Sequence, residues 1–234
     1  MNTKVDTPRA ASRDMDRRLL PGVKGEVVLV ILGLYIGIVL HYSRHPSWSL
    51  VGLGVLTFTA LYLAFSLKYV NPTSPADLHI TRKRVGLHLL VGLLLILPAW
   101  FFDSLYSYLV GRGWLPLGIA SSPSLILSIL AVATSEEVFF RGYLLGRLKS
   151  LDGNRWMRIV LVSAVFMFYK VLVHSWEGWS FATYVEFFVF GALKMLVGTF
   201  WVDWTGSIVM PVVVHIGWDL IMFQEYTGPP YWAL

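Results

Sequence analysis

The sequence has no cysteine among its 234 residues. Disulfides, thiolate metal sites and cysteine nucleophiles are therefore excluded. Charge is also scarce: 14% of the residues are Asp, Glu, Lys or Arg, where a soluble domain carries about a quarter. No polar stretch is long enough to build a soluble domain. There is no internal repeat and no low-complexity segment. Secondary transporters usually show an internal repeat and more spans than this chain offers, so a carrier is disfavoured.

What is present is apolar. Hydrophobic residues make up 56% of the chain, the profile of a polytopic membrane protein. Apolar runs mark about seven spans, roughly at 25–42, 48–67, 85–102, 123–146, 157–174, 181–201 and 207–224. Each is close to the ~20 residues that cross a ~30 Å hydrocarbon core. Backbone polar groups in lipid must be satisfied within the segment, so these runs are helices. The expected fold is all-α, a polytopic transmembrane bundle of about seven to eight helices. Residues 102–122 are open to three readings: an extension of the third span, an interfacial segment or an extra half-helix. An eighth span would reverse the side on which the chain ends.

The net charge of +5 could point to nucleic acid or to a membrane surface. The positions of the basic residues decide. Lys4, Arg9, Arg13, Arg17, Arg18 and Lys24 lie in the first segment, Lys68, Arg82, Lys83 and Arg84 after the second span, and Arg147, Lys149, Arg155 and Arg158 after the fourth. The alternate loops hold only Arg44 and Arg112. This is the positive-inside pattern, with the N-terminus cytoplasmic. No nucleic-acid partner is expected. The polar tail 1–20 is expected to be unstructured, and no small-residue cleavage site follows the first apolar run.

A short set of ionisable residues stays inside the spans: Glu136, Glu137, Arg141, Lys170, His174, Glu186, Lys194, His215 and Asp219. Charge at that depth costs a few kcal/mol and marks a protein interior or a hydrated cavity. Residues four apart share a helix face. Glu137–Arg141, Lys170–His174 and His215–Asp219 are such pairs. Glu136 points about 100° away from Glu137 around the helix. Arg141 neutralises Glu137, which leaves Glu136 without a partner on its own helix and poised for proton transfer. Glu186 and Lys194 suit a structural contact or a lipid-facing edge.

The stretch SEEVFFRGYLLG resembles the Glu-Glu-x-x-x-Arg motif of the CPBP intramembrane proteases, the Abi or CAAX-protease family. This family includes the Ras-converting prenyl-protein endopeptidases. TGSIVMPVVVHIGWD resembles the family's third motif, with His215 and Asp219 following Thr205-Gly206-Ser207. The second motif is Phe-x-x-x-His in the family. Here Phe166 is followed by Lys170 in the histidine position, and His174 lies one turn later. Either His174 or Lys170 fills the slot.

The resemblance covers roughly 120–224. It implies an intramembrane endopeptidase acting on a membrane-anchored or lipidated protein or peptide precursor in the bilayer. By that likeness Glu136 activates water with help from Lys170 or His174. His215 and Asp219 support the oxyanion or the water, and Arg141 fixes Glu137. His, Glu and Asp are competent zinc ligands. A divalent cation such as zinc held by Glu136, His174, His215 and Asp219 therefore stays open beside a glutamate-only mechanism. The competing reading is a non-catalytic interaction or immunity protein that keeps the fold. The expected organisation is a cytoplasmic basic tail (1–22), about three N-terminal transmembrane helices (23–118) and a catalytic bundle (119–234). The expected location is a prokaryotic cell (inner) membrane.

Overall fold

A computed structural model describes residues 9–42, 46–70, 73–74, 76–81, 84–111, 113–119, 122–151, 154–174 and 181–223, with no strand among them. The side chains of residues 9–21, Pro46, Trp48, Val70, His174, Ala182, Thr183, Glu186 and Phe187 lie outside the described set. Seven continuous helices run through the described residues. They are α1 (Arg9–His41), α2 (Pro46–Phe65, continued as a wider π-helical turn Ser66–Val70) and α3 (Val85–Leu109). Next come α4 (Pro123–Ser150) and α5 (Arg155–His174). The last two are α6 (Phe181–Glu186, π-helical Phe187–Gly191, then Ala192–Thr205) and α7 (Val209–Met222). Among the described residues, five helices are long and apolar enough to cross a membrane. α7 is apolar but only 14 residues long. The chain is a multi-pass, all-α membrane protein.

One expectation changes, and one open reading is decided. α1 begins at Arg9, so residues 9–21 of the basic tail are helical. Ala, Arg, Met and Leu, all strong helix formers, dominate that stretch. Residues 102–109 prolong the third helix, and 113–119 are irregular, so the described residues hold no eighth helix.

The chain divides into two compact units, 1–73 with 150–152, and 74–149 with 153–234. In the first, α1 packs on α2 through small residues. A Cβ on Gly52 would lie 2.1 Å from the His41 backbone nitrogen, and one on Gly37 would lie 2.6 Å from Leu56 Cγ. Such contacts need glycine for close backbone approach. The Ser66 hydroxyl donates to the buried carboxylate of Glu26 within this pair.

The second unit holds α3 to α7. α7 packs on α3 and α4, and α6 on α5. A Cβ on Gly92 would lie 2.8 Å from Val213 Cβ, and one on Gly217 would lie 2.2 Å from Ile96 Cδ1. α3 and α7 therefore touch backbone to side chain. Leu125 and Ile129 of α4 bury themselves against Ile216, Leu220 and Phe223. Thr205-Gly206-Ser207 makes the turn into α7. Gly206 takes φ +70°, its N–H donates to Val202 O at 2.8 Å, and Ser207 N–H donates to Thr205 Oγ1 at 3.3 Å. Left-handed φ at a helix C-terminus is glycine's role. Arg155 and Arg158 of α5 meet Asp203 of α6 at 2.8 and 2.9 Å.

Candidate active site

Glu136 sits mid-way along α4, about 20 Å from either end at 1.5 Å rise per residue. Immediately after Glu137 the helix widens into a π-helical stretch, Val138–Leu144. Such widened turns recur at functional sites. Two glycines let a loop lie against this stretch. A Cβ on Gly142 would lie 2.9 Å from Leu78 O, and one on Gly146 would lie 2.4 Å from Asp77 O.

Glu136, Glu137, Arg141, Lys170 and Asp219 are all buried, and His215 is nearly so. They come from α4, α5 and α7. Arg141 pairs with Glu137, as their spacing predicts. The Arg141 guanidinium lies 5.1 Å from the Phe166 ring centroid, and its Nε is 3.4 Å from Thr199 Oγ1. Ser163 donates to the same Thr199 oxygen at 3.1 Å. A Cβ on Gly198 would meet the guanidinium at 2.7 to 2.9 Å, so α6 leaves room for Arg141 only because residue 198 is glycine.

Glu137 holds a second partner. His215 Nδ1 is 2.9 Å from Glu137 Oε1. An ionised carboxylate only accepts, so Nδ1 carries the hydrogen. That turns Nε2 toward the other two carboxylates, 3.5 Å from Glu136 Oε2 and 3.6 Å from Asp219 Oδ2.

Glu136 has no partner on its own helix, but it is not without one. Lys170 Nζ lies 2.6 Å from Glu136 Oε2, and Tyr169 donates its hydroxyl to Oε1 at 3.0 Å. The expectation of an unpaired carboxylate fails because α5 supplies the cation that α4 lacks. Phe166 stacks on Phe140 at 4.1 Å and 11°, and its ring lies 6.2 Å from that of His215. It forms the apolar floor between the two polar pairs. His174 lies outside the described side chains, so the second-motif position is described by Lys170 alone.

Three groups were not legible as site residues. Tyr169 is only the neighbour of a suspected lysine. Gly198 and Thr199 carry no charge, and Thr199 resembles any small residue in a packed helix. Asp103 falls one residue beyond the expected end of the third span. α3 continues past it, and Asp103 pairs with Lys194 at 2.5 Å. Lys194 also lies 3.3 Å from the Trp218 ring centroid. Lys194 thus makes a structural contact. Glu186 lies outside the described side chains.

The donors can be tested against a divalent cation. Lys170 already places its positive charge on Glu136 Oε2. Among the described residues no group of three His, Asp or Glu is arranged to hold a metal ion. Glu136, His215 and Asp219 as they stand do not fit one. His174, the fourth candidate ligand, lies outside the described side chains.

Residues 118–221 match the family model described as Type II CAAX prenyl endopeptidase Rce1-like. This stretch, just under half of the chain, resembles the CAAX-protease family. The matched stretch contains every residue of the cluster. The likeness is to an endopeptidase that acts on prenylated proteins. No curated protein and no solved structure matches the chain.

Proposed function

We propose that this protein hydrolyses a peptide bond in a membrane-associated protein or peptide precursor, with Glu136 as the base that activates water. One observation carries the reading. Helices α4, α5 and α7 bring Glu136 Oε2 within 2.6 Å of Lys170 Nζ and 3.5 Å of His215 Nε2.

Peptide hydrolysis needs a base for water and a donor for the developing oxyanion. In this reading Lys170 is a fixed cation in place of the family's histidine. His215, oriented by Glu137, supports the oxyanion or the water with Asp219. Arg141 holds Glu137. The chain lies in a prokaryotic cell membrane with its N-terminus cytoplasmic, the orientation its basic loops favour.

The test uses the purified protein in detergent micelles and an internally quenched, prenylated peptide ending in a CAAX sequence. Glu136→Gln should abolish cleavage while the protein still inserts and folds. Glu186→Ala should cleave as the wild type does. Retained proteolysis in Glu136→Gln refutes the assignment of the base.

A second reading rests on the same ion pair. A buried carboxylate held by Lys170 can serve as a structural ion pair alone, which suits a non-catalytic interaction or immunity protein that retains the fold.

A further inference from the structure

The two oxygens of Glu136 stand in different surroundings. Oε2 is enclosed by the Lys170 ammonium at 2.6 Å and His215 Nε2 at 3.5 Å. Oε1 accepts a hydrogen bond from the Tyr169 hydroxyl at 3.0 Å. Lys170 is buried, whereas Tyr169 is partly exposed. Oε1 therefore faces a hydroxyl donor, and Oε2 faces the cation.

Tyr169 and Lys170 are successive residues on α5, so they leave the helix about 100° apart. Both nevertheless reach one carboxylate, one at each oxygen. This grip fixes the terminal torsion of Glu136, which is otherwise broad and roughly two-fold. The Tyr169 ring is itself held. It lies 5.1 Å from Phe140 and 6.2 Å from Phe166, the two rings that stack on each other. A phenol reaches its partner through two torsions, so packing of the ring sets the position of the hydroxyl.

Charge balance does not explain the contact. Lys170 already neutralises Glu136, so Tyr169 adds direction and no charge. An ionised carboxylate oxygen has two lone pairs. With Tyr169 on one of them, Oε1 keeps the other for water, on the side away from Lys170.

We propose that Tyr169 is a positioning residue for Glu136, and that Oε1 is the atom that takes the proton from water. The inference rests on Glu136 being the base. In the step, one water O–H breaks and its proton passes to Oε1. The water oxygen bonds to the scissile carbonyl carbon, and the carbonyl π pair moves onto its oxygen. On collapse the C–N bond breaks, and the proton held by Glu136 passes to the leaving nitrogen. Water and peptide are the only reactants, and the protein returns to its starting state. The functional second motif of this chain is then Phe166-x-x-Tyr169-Lys170, with the aromatic floor, the orienting hydroxyl and the cation on one helix.

Tyr169→Phe removes the hydroxyl and keeps the ring. On the prenylated quenched peptide kcat should fall about tenfold, the value of one hydrogen bond made to the base. KM and the melting temperature should stay as in the wild type. A second readout needs no substrate. In protein labelled with carbon-13 at the glutamate carboxyls, the infrared band lost in Glu136→Gln belongs to Glu136. That band should shift in Tyr169→Phe as one donor is removed. A wild-type kcat or an unmoved band overturns the positioning role. Cleavage that survives Glu136→Gln overturns the base assignment instead, whatever Tyr169→Phe does. If the wild type does not cleave the peptide, the proposed reaction fails, and an unmoved infrared band still overturns the contact by itself.

Discussion

Lys170 Nζ and Glu136 Oε2 form a 2.6 Å ion pair buried between α5 and α4. Breaking one side of such a pair strands a charge in a medium that cannot solvate it. The typical cost is about 3–5 kcal/mol, far more than an exposed pair is worth.

Lys170→Met should therefore lower the melting temperature in detergent markedly and reduce cleavage at least about a hundredfold, the scale of losing one aligned electrostatic group. The double variant Glu136→Gln/Lys170→Met should regain most of the stability and none of the activity. Lys170→His restores the family's Phe-x-x-x-His spacing. If Lys170 is a working cation, this variant should cleave no better than the wild type. A wild type that is inactive and a Lys170→His variant that cleaves would instead support the non-catalytic reading. Melting curves and cleavage rates on the four proteins decide.

Gly198 is a second point of control. Its missing Cβ gives the Arg141 guanidinium its place beside Thr199. Arg141 cannot swing aside freely, because it is paired to Glu137 and packed over Phe166. Gly198→Ala should displace Arg141, loosen Glu137 and misalign His215. Cleavage should fall about tenfold or more, with a lower melting temperature. Gly86→Ala should leave both unchanged, since a Cβ there meets nothing within 4 Å.

The loop that lies on Gly142 and Gly146 should make stability depend on pH. The His79 carbonyl accepts the N–H of Ile208, the residue before α7, at 3.1 Å. Burial pushes the His79 imidazole down to about 4, helped by the nearby Lys149 charge, with Asp203 and Asp77 opposing and Arg158 adding to the fall. The unfolded chain takes up this proton near pH 6.5 and the folded protein only near 4. Stability is therefore full above the unfolded value and falls as the pH drops from about 6.5 toward 4. The expected loss is about 1 kcal/mol between pH 7 and about pH 5.5. Thermal melts at the two pH values should show it, and His79→Gln should remove that part of the difference.

The sequence by itself determined the class of the protein and half of its site. Long apolar runs in a chain with little charge leave helices as the only spanning structure, because lipid offers no partner for a free backbone group. Four-residue spacing placed Glu137 against Arg141, because that relation is local to one helix. Thr205-Gly206-Ser207 was legible as a turn for the same reason. Contacts between helices had no such local signature. That α5 presents Lys170 and Tyr169 to opposite oxygens of Glu136 depends on how α5 leans on the widened turn of α4. That Glu137 takes His215 Nδ1 depends on the glycines and apolar residues that let α7 lie against α3 and α4. Asp103 looked like the edge of a loop until the third helix ran past it. Periodicity along one chain reveals which side chains share a face, and only packing between helices decides which faces meet.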